Sequence, residues 1–108
     1  MKRNEVVLDG RLLKRSVLRY TPAGTPAVDA LIGHRSLQME AGGQREARCE
    51  IEAVALGEMA VRLGTLKLNQ PLRVSGFLAQ RSLGDRKLVL HLASAEPVAG
   101  GGRIRNTQ

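Results

Sequence analysis

The chain has 108 residues, room for one domain around a single core and too little for two. Hydrophobic residues at 43% and charged ones at 25% fit a globular protein and exclude intrinsic disorder, and no apolar run approaches the length of a bilayer span. Seventeen basic against ten acidic residues give +7, which points to a polyanionic partner, while a single cysteine excludes an internal disulfide and any metal site of paired cysteines.

The N-terminal MKRNEVVLDG lacks the long apolar stretch and small-residue cleavage site of a secretory signal, so a cytoplasmic protein is expected. In NEVVLDGRLL, Val6, Leu8 and Leu12 alternate with Val7, Asp9 and Arg11, which predicts a first strand bent at Gly10. Two prolines and a glycine in RYTPAGTPA mark a turn. AVDALIGHRSLQ resumes the alternation as a second strand, AGGQ forms a loop, and ARCEIEAVAL returns as a third strand paired with the second. Cys49, within that third strand, is expected to be a small buried residue. Met59, Val61, Leu63 and Leu66 in EMAVRLGTLKL stand at near-helical spacing and predict one short helix. QPLRVSGFLAQRS and RKLVLHLASAEPV are two more strands joined by a turn around Leu83, Gly84 and Asp85, and GGGRIRNTQ follows as a flexible tail.

Three strands, a helix and two strands is the element order of an all-β, five-stranded OB-fold barrel with its helix between strands 3 and 4. The rival SH3-like barrel has as many strands but no comparable helix in that place. Closing a twisted sheet into a barrel also explains glycines at 10 and 76 inside strands. The layout expected is an OB-fold domain over residues 1–98 and a basic tail over 99–108.

Charge is unevenly spread along this plan. Thirteen of the seventeen bases are arginine, whose planar fork binds phosphate bidentately and stacks on flat rings. Genomic base composition also enriches arginine, so position carries more than number. Residues 1–24 hold six bases and two acids, residues 40–58 two bases and five acids, and residues 62–91 six bases and one acid. This predicts two positive ends with an acidic segment between them. Within RVSGFLAQR, alternation sends Val74, Gly76 and Leu78 to one side and Arg73, Ser75, Phe77, Ala79 and Arg81 to the other. Phe77 between two arginines suits a platform for stacked bases, or equally a contact with a subunit partner or a second small core. Arg81, Arg86 and Lys87 bracket the last hairpin, and Arg35, Arg45 and Arg48 the middle one. On an OB barrel these loops and the strand face between them line the groove that takes single-stranded nucleic acid.

Catalytic patterns are lacking. No GxxxxGK loop cradles a phosphate, and Gly42-Gly43 opens no helix. His34 and His91 lie on separate strands without further ligands at metal-binding spacing, so both are expected to be structural or surface residues. Glu50 and Glu52 share a strand face that reads as solvated, and no nucleophile has an evident base. A binding protein without metal or cofactor is the expectation.

GRLLKRSVLRYTPAGTP, HRSLQMEAGGQREARC, RVSGFLAQRS and KLVLHLASAE, in that order across residues 4 to 98, resemble the primosomal replication protein N family, bacterial relatives of the single-stranded DNA-binding proteins. The resemblance implies an OB fold, a homodimer, single-stranded DNA binding, and a role in the primosome beside the primosomal helicase and a helicase-loading factor. The family's binding surface would fall on Lys14, Arg19, Arg35, Arg45, Arg48 and Lys87, with Arg81 and Arg86 in the matching hairpin. Where well-known members carry aromatic residues in the middle loop, this sequence has Gly43 and Arg48, and its last hairpin is shorter with fewer lysines. Losing aromatic platforms of ~1–3 kcal/mol per base shifts affinity toward phosphates and predicts steep salt dependence. Two other readings stand beside this one. A general single-stranded DNA-binding protein would continue into a long polar tail with an acidic tip, whereas this chain ends in the basic GGGRIRNTQ. A protein or RNA interaction adaptor, with incidental DNA affinity, would use Glu46, Glu50, Glu52 and Glu58 as its docking surface.

Overall fold

Strand alternation decides which side of each segment is apolar, and a closed ladder turns those sides inward. The computed structural model describes residues 1–98, so the basic tail expected over 99–108 lies outside the described residues. Its elements are β1 (Val6–Arg15), β2 (Arg19–Tyr20), β3 (Pro26–Glu40), β4 (Gly43–Leu56), α1 (Glu58–Leu63), β5 (Pro71–Ser82) and β6 (Asp85–Pro97). Antiparallel pairs β1–β5, β5–β6, β3–β4 and β1–β3 join a parallel β4–β6 contact, and together they close a five-stranded barrel. The two-residue β2 is an appendage on β3 within the turn expected there. This is the OB architecture, with its helix between the third and fourth long strands.

Leu12, Val28, Ile32, Leu72, Val74 and Leu90 fill the barrel and are wholly buried. At two places the ladder crosses so closely that no side chain fits: a Cβ on Gly10 would meet the carbonyl of Gly33, and one on Gly76 the carbonyl of His91. The β3–β4 hairpin closes in two residues, Ala41 and Gly42, with φ of 52° and 82°, the pair of positive values that a type I′ turn demands.

The helix is shorter than its sequence pattern. It buries Ala60 and Leu63 and ends at Gly64, after which Thr65 and Leu66 bond three residues back to Arg62 and Leu63. Val61 is 55% exposed, because a single turn and a half cannot turn four alternating apolar residues to one side. Arg15 reaches across to donate to the Leu63 carbonyl at 3.1 Å, the last of the helix, and also to that of Leu66 in the turn beyond it.

Cys49 is exposed, contrary to the burial expected of it. Its parity matches the core positions Ala53 and Ala55, but the core ends at Ile32 on β3 and Ala53 on β4. Beyond them the hairpin projects from the barrel as an arm, paired regularly out to Glu40 and Gly43, with Leu37 and Met39 exposed. Alternation specifies a side; it says nothing about where the barrel stops.

Candidate nucleic-acid interface

Register places the charge. Cross-strand partners share a face, and β3 and β4 pair without a slip from Ala27–Leu56 to Glu40–Gly43. One face, outward from the barrel, therefore carries the pairs Asp29–Val54, Leu31–Glu52, Gly33–Glu50, Arg35–Arg48 and Leu37–Glu46 in sequence. From Asp29 to Arg35 this row runs about 20 Å.

Cations from three other segments converge on it. Arg19, on β2, donates to Asp29 at 2.7 Å. A bulge in β1 at Leu13 brings Lys14 level with Leu31. From the β5–β6 hairpin, Arg81 binds one oxygen of Glu52 and Lys87 the other, at 2.5 Å, while Arg81 Nε also meets Asp85 at 3.2 Å. A groove of about 380 Å³ results, lined by Lys14, Arg15, Asp29, Leu31, Glu52 and Arg81. Farther along the same face, Glu46 holds both Arg35 and Arg48, the latter at 3.2 Å. Hydrogen bonds from Arg48 and then Arg35 keep the Glu46 carboxyl below the usual glutamate range.

Four predicted residues stand off this row. Arg45 pairs with Gln38 on the reverse of the arm, where it meets Glu40 at 3.3 Å, so the middle hairpin presents two arginines on one side and one on the other. Arg73 lies eight residues from Arg81 along β5 and forms a two-point bridge to Asp9, at 2.6 and 3.0 Å. That bridge lowers the Asp9 pKa and raises that of Arg73. Arg73 shares with Arg11, Arg35 and Arg48 a second concavity of about 910 Å³, where the arm leaves the barrel. There the protonated Nδ1 of His34 donates to the Asp9 carbonyl at 2.6 Å, and its Nε2 accepts from Ser36 at 2.7 Å. Phe77 does face outward with Arg73 and Arg81, but its ring already stacks on His91, 4.8 Å away and 6° from parallel. Arg86 is exposed at the start of β6.

Both histidines thus have partners within the protein, in keeping with structural or surface residues. Among the described residues no group of three or more His, Cys, Asp and Glu could hold a metal ion, and no helix is long and apolar enough to cross a membrane. Two features, one at the edge of the face and one on it, do not follow from the sequence pattern. Tyr20, next to Arg19, is exposed, and Glu52 is the anchor on which two cations meet. The signal for Tyr20 was present, a lone aromatic in a proline-rich turn beside an arginine. For Glu52 there was none, because its partners lie 29 and 35 positions away.

This geometry meets known proteins at every level. A model described as another single-strand binding protein family matches residues 4–94. The replication restart protein PriB of Bordetella pertussis is 40% identical over 97 residues, covering 90% of this chain and 91% of that one. The chain belongs to the PriB family of single-strand binding proteins. PriB of Nitrosomonas europaea is 34% identical over 85% of each chain. The crystal structure of PriB from Ralstonia solanacearum superposes with a TM-score of 0.82 at 35% identity, covering 89% of this chain and 98% of that one. A single-stranded DNA-binding protein from Thermus aquaticus superposes at 0.71 with 29% identity, and 94% of this chain matches 53% of that one. The superposition spans nearly the whole of the Ralstonia PriB chain, so the two proteins share their fold.

Proposed function

We propose that the protein binds single-stranded DNA as a non-catalytic accessory of replication restart. The observation that carries this reading is the convergence of Lys14, Arg19, Arg81, Lys87, Arg35 and Arg48 on one face of the β3–β4 ladder, between two loops of an OB barrel. A row of such length follows a sugar-phosphate backbone, and the flat guanidinium of Arg48 and the Phe77–His91 stack offer planar surfaces for bases. The names of the PriB relatives support replication restart as the setting, and to that setting we add a cytoplasmic primosome in which the protein acts as a homodimer beside the primosomal helicase and a helicase-loading factor. Val7, exposed on the outer face of β1, supplies apolar surface for such a dimer. The adaptor reading is weakened, because Glu46 and Glu52, two of the four carboxylates it needs, are engaged by the protein's own cations.

Fluorescence anisotropy with labelled oligothymidine and with a duplex of equal length tests the proposal. The single strand should bind more tightly by tenfold or more, on the order of 1.4 kcal/mol. Equal affinity for both would leave only general polyanion attraction.

A further inference from the structure

Both oxygens of Glu52 are occupied, Oε1 by Arg81 and Oε2 by Lys87 at 2.5 Å. The two non-bridging oxygens of a phosphodiester would present the same pair of acceptors to the same pair of donors. Glu52 stands mid-strand on the outward face, level with Leu31 and Lys14 on the neighbouring strands, so it lies within the groove rather than at its rim. Arg81 keeps a second carboxylate, Asp85 within its own hairpin, which continues to orient it if Glu52 lets go. From this arrangement we infer that Glu52 is an internal mimic of the DNA phosphate: it holds Arg81 and Lys87 in the unbound protein, and a strand enters by taking its place. The inference rests on the single-stranded DNA reading above and adds to it a residue that limits affinity.

The consequence is an exchange rather than a simple gain. Each phosphate that reaches Arg81 or Lys87 displaces a carboxylate, and the freed carboxylate then attracts a counterion of its own. Binding through these two side chains is therefore weaker, and releases fewer ions, than two unengaged cations would give.

Glu52→Gln in the full chain tests this, since it keeps the shape and one acceptor oxygen but removes the charge. Oligothymidine should bind about three- to tenfold more tightly, the range set by surface ion pairs. The slope of log affinity against log salt should steepen by about 0.7 to 1.4. Glu50→Gln is the control, because Glu50 is on the same face one pair farther along and its removal changes net charge equally. The gain should also vanish when Arg81 and Lys87 are both replaced by alanine. An unchanged or weaker Glu52→Gln variant beside a wild type that binds normally overturns the inference alone, as does an equal gain from Glu50→Gln. If neither protein prefers the single strand, the functional reading falls and this inference with it.

Discussion

Asp9 shows how much one residue does that its neighbours in sequence do not reveal. Its carboxylate receives two bonds from Arg73 on β5, and its carbonyl one from His34 on β3, so it ties three strands together at the foot of the arm. A carboxyl whose folded pKa is depressed adds stability above its unfolded pKa, and that contribution fades as pH falls through the folded value. Asp9, lowered from 3.8, should therefore stabilise the protein at neutral pH and cease to do so only in strong acid. Asp9→Asn is expected to cost about 0.5–1 kcal/mol at pH 7, modest because the pair is largely solvated. Urea titrations of both proteins at pH 7 and near pH 2.5 should show that difference at the first pH and a smaller one at the second. Alternation correctly put Asp9, Arg73 and Phe77 outside the barrel. What it could not do was sort arginines by employment. Arg15 caps the helix, Arg62 binds the Ala95 carbonyl and Glu96, and Arg11 the Asn69 carbonyl, each through a partner far along the chain.

At the scale of elements, the β3–β4 hairpin is both the best and the worst read. Its two strands, its turn and its pairing follow from apolar alternation and AGG, and the same alternation, carried through, separates Arg45 from Arg48. Its length beyond the barrel does not follow, because a strand inside a core and one outside it can alternate alike. Hence the misplaced Cys49, and hence the arm, whose outward face has Arg35 and Arg48 side by side, both bound to Glu46. Two adjacent cations of this kind are tolerable at rest and favourable beside a phosphate. Replacing both with alanine should weaken oligothymidine binding roughly tenfold at low salt, by loss of charge-assisted contacts. The melting temperature should move by less than about 4 °C, as exposed arm residues contribute little to the fold. Unaltered binding in that double variant would remove the arm from the interface.

For the whole molecule, sequence counts suggest two positive ends separated by an acidic middle, and folding abolishes that separation. The acidic middle is largely β4, which the barrel sets between β3 and β6, so that Glu46 and Glu52 face the cations of the other segments directly. Arg19, Arg35, Arg45, Arg48, Arg73, Arg81 and Lys87 all meet carboxylates, which leaves Lys14 and Arg86 as the predicted contacts without one among the described residues. This changes the expected response to salt. Nine unengaged cations on a single strand would give a slope near −6, at about −0.7 per phosphate. Where a phosphate replaces a carboxylate, counterion release from DNA is offset by counterion uptake at the carboxylate, and only Lys14 and Arg86 contribute in full. The slope of log affinity against log salt should then lie between about −1.5 and −3. Anisotropy titrations of oligothymidine across several sodium chloride concentrations measure it directly. A slope steeper than about −5 would mean that the ion pairs of the free protein exert no hold on its cations, and the net charge alone would then govern binding.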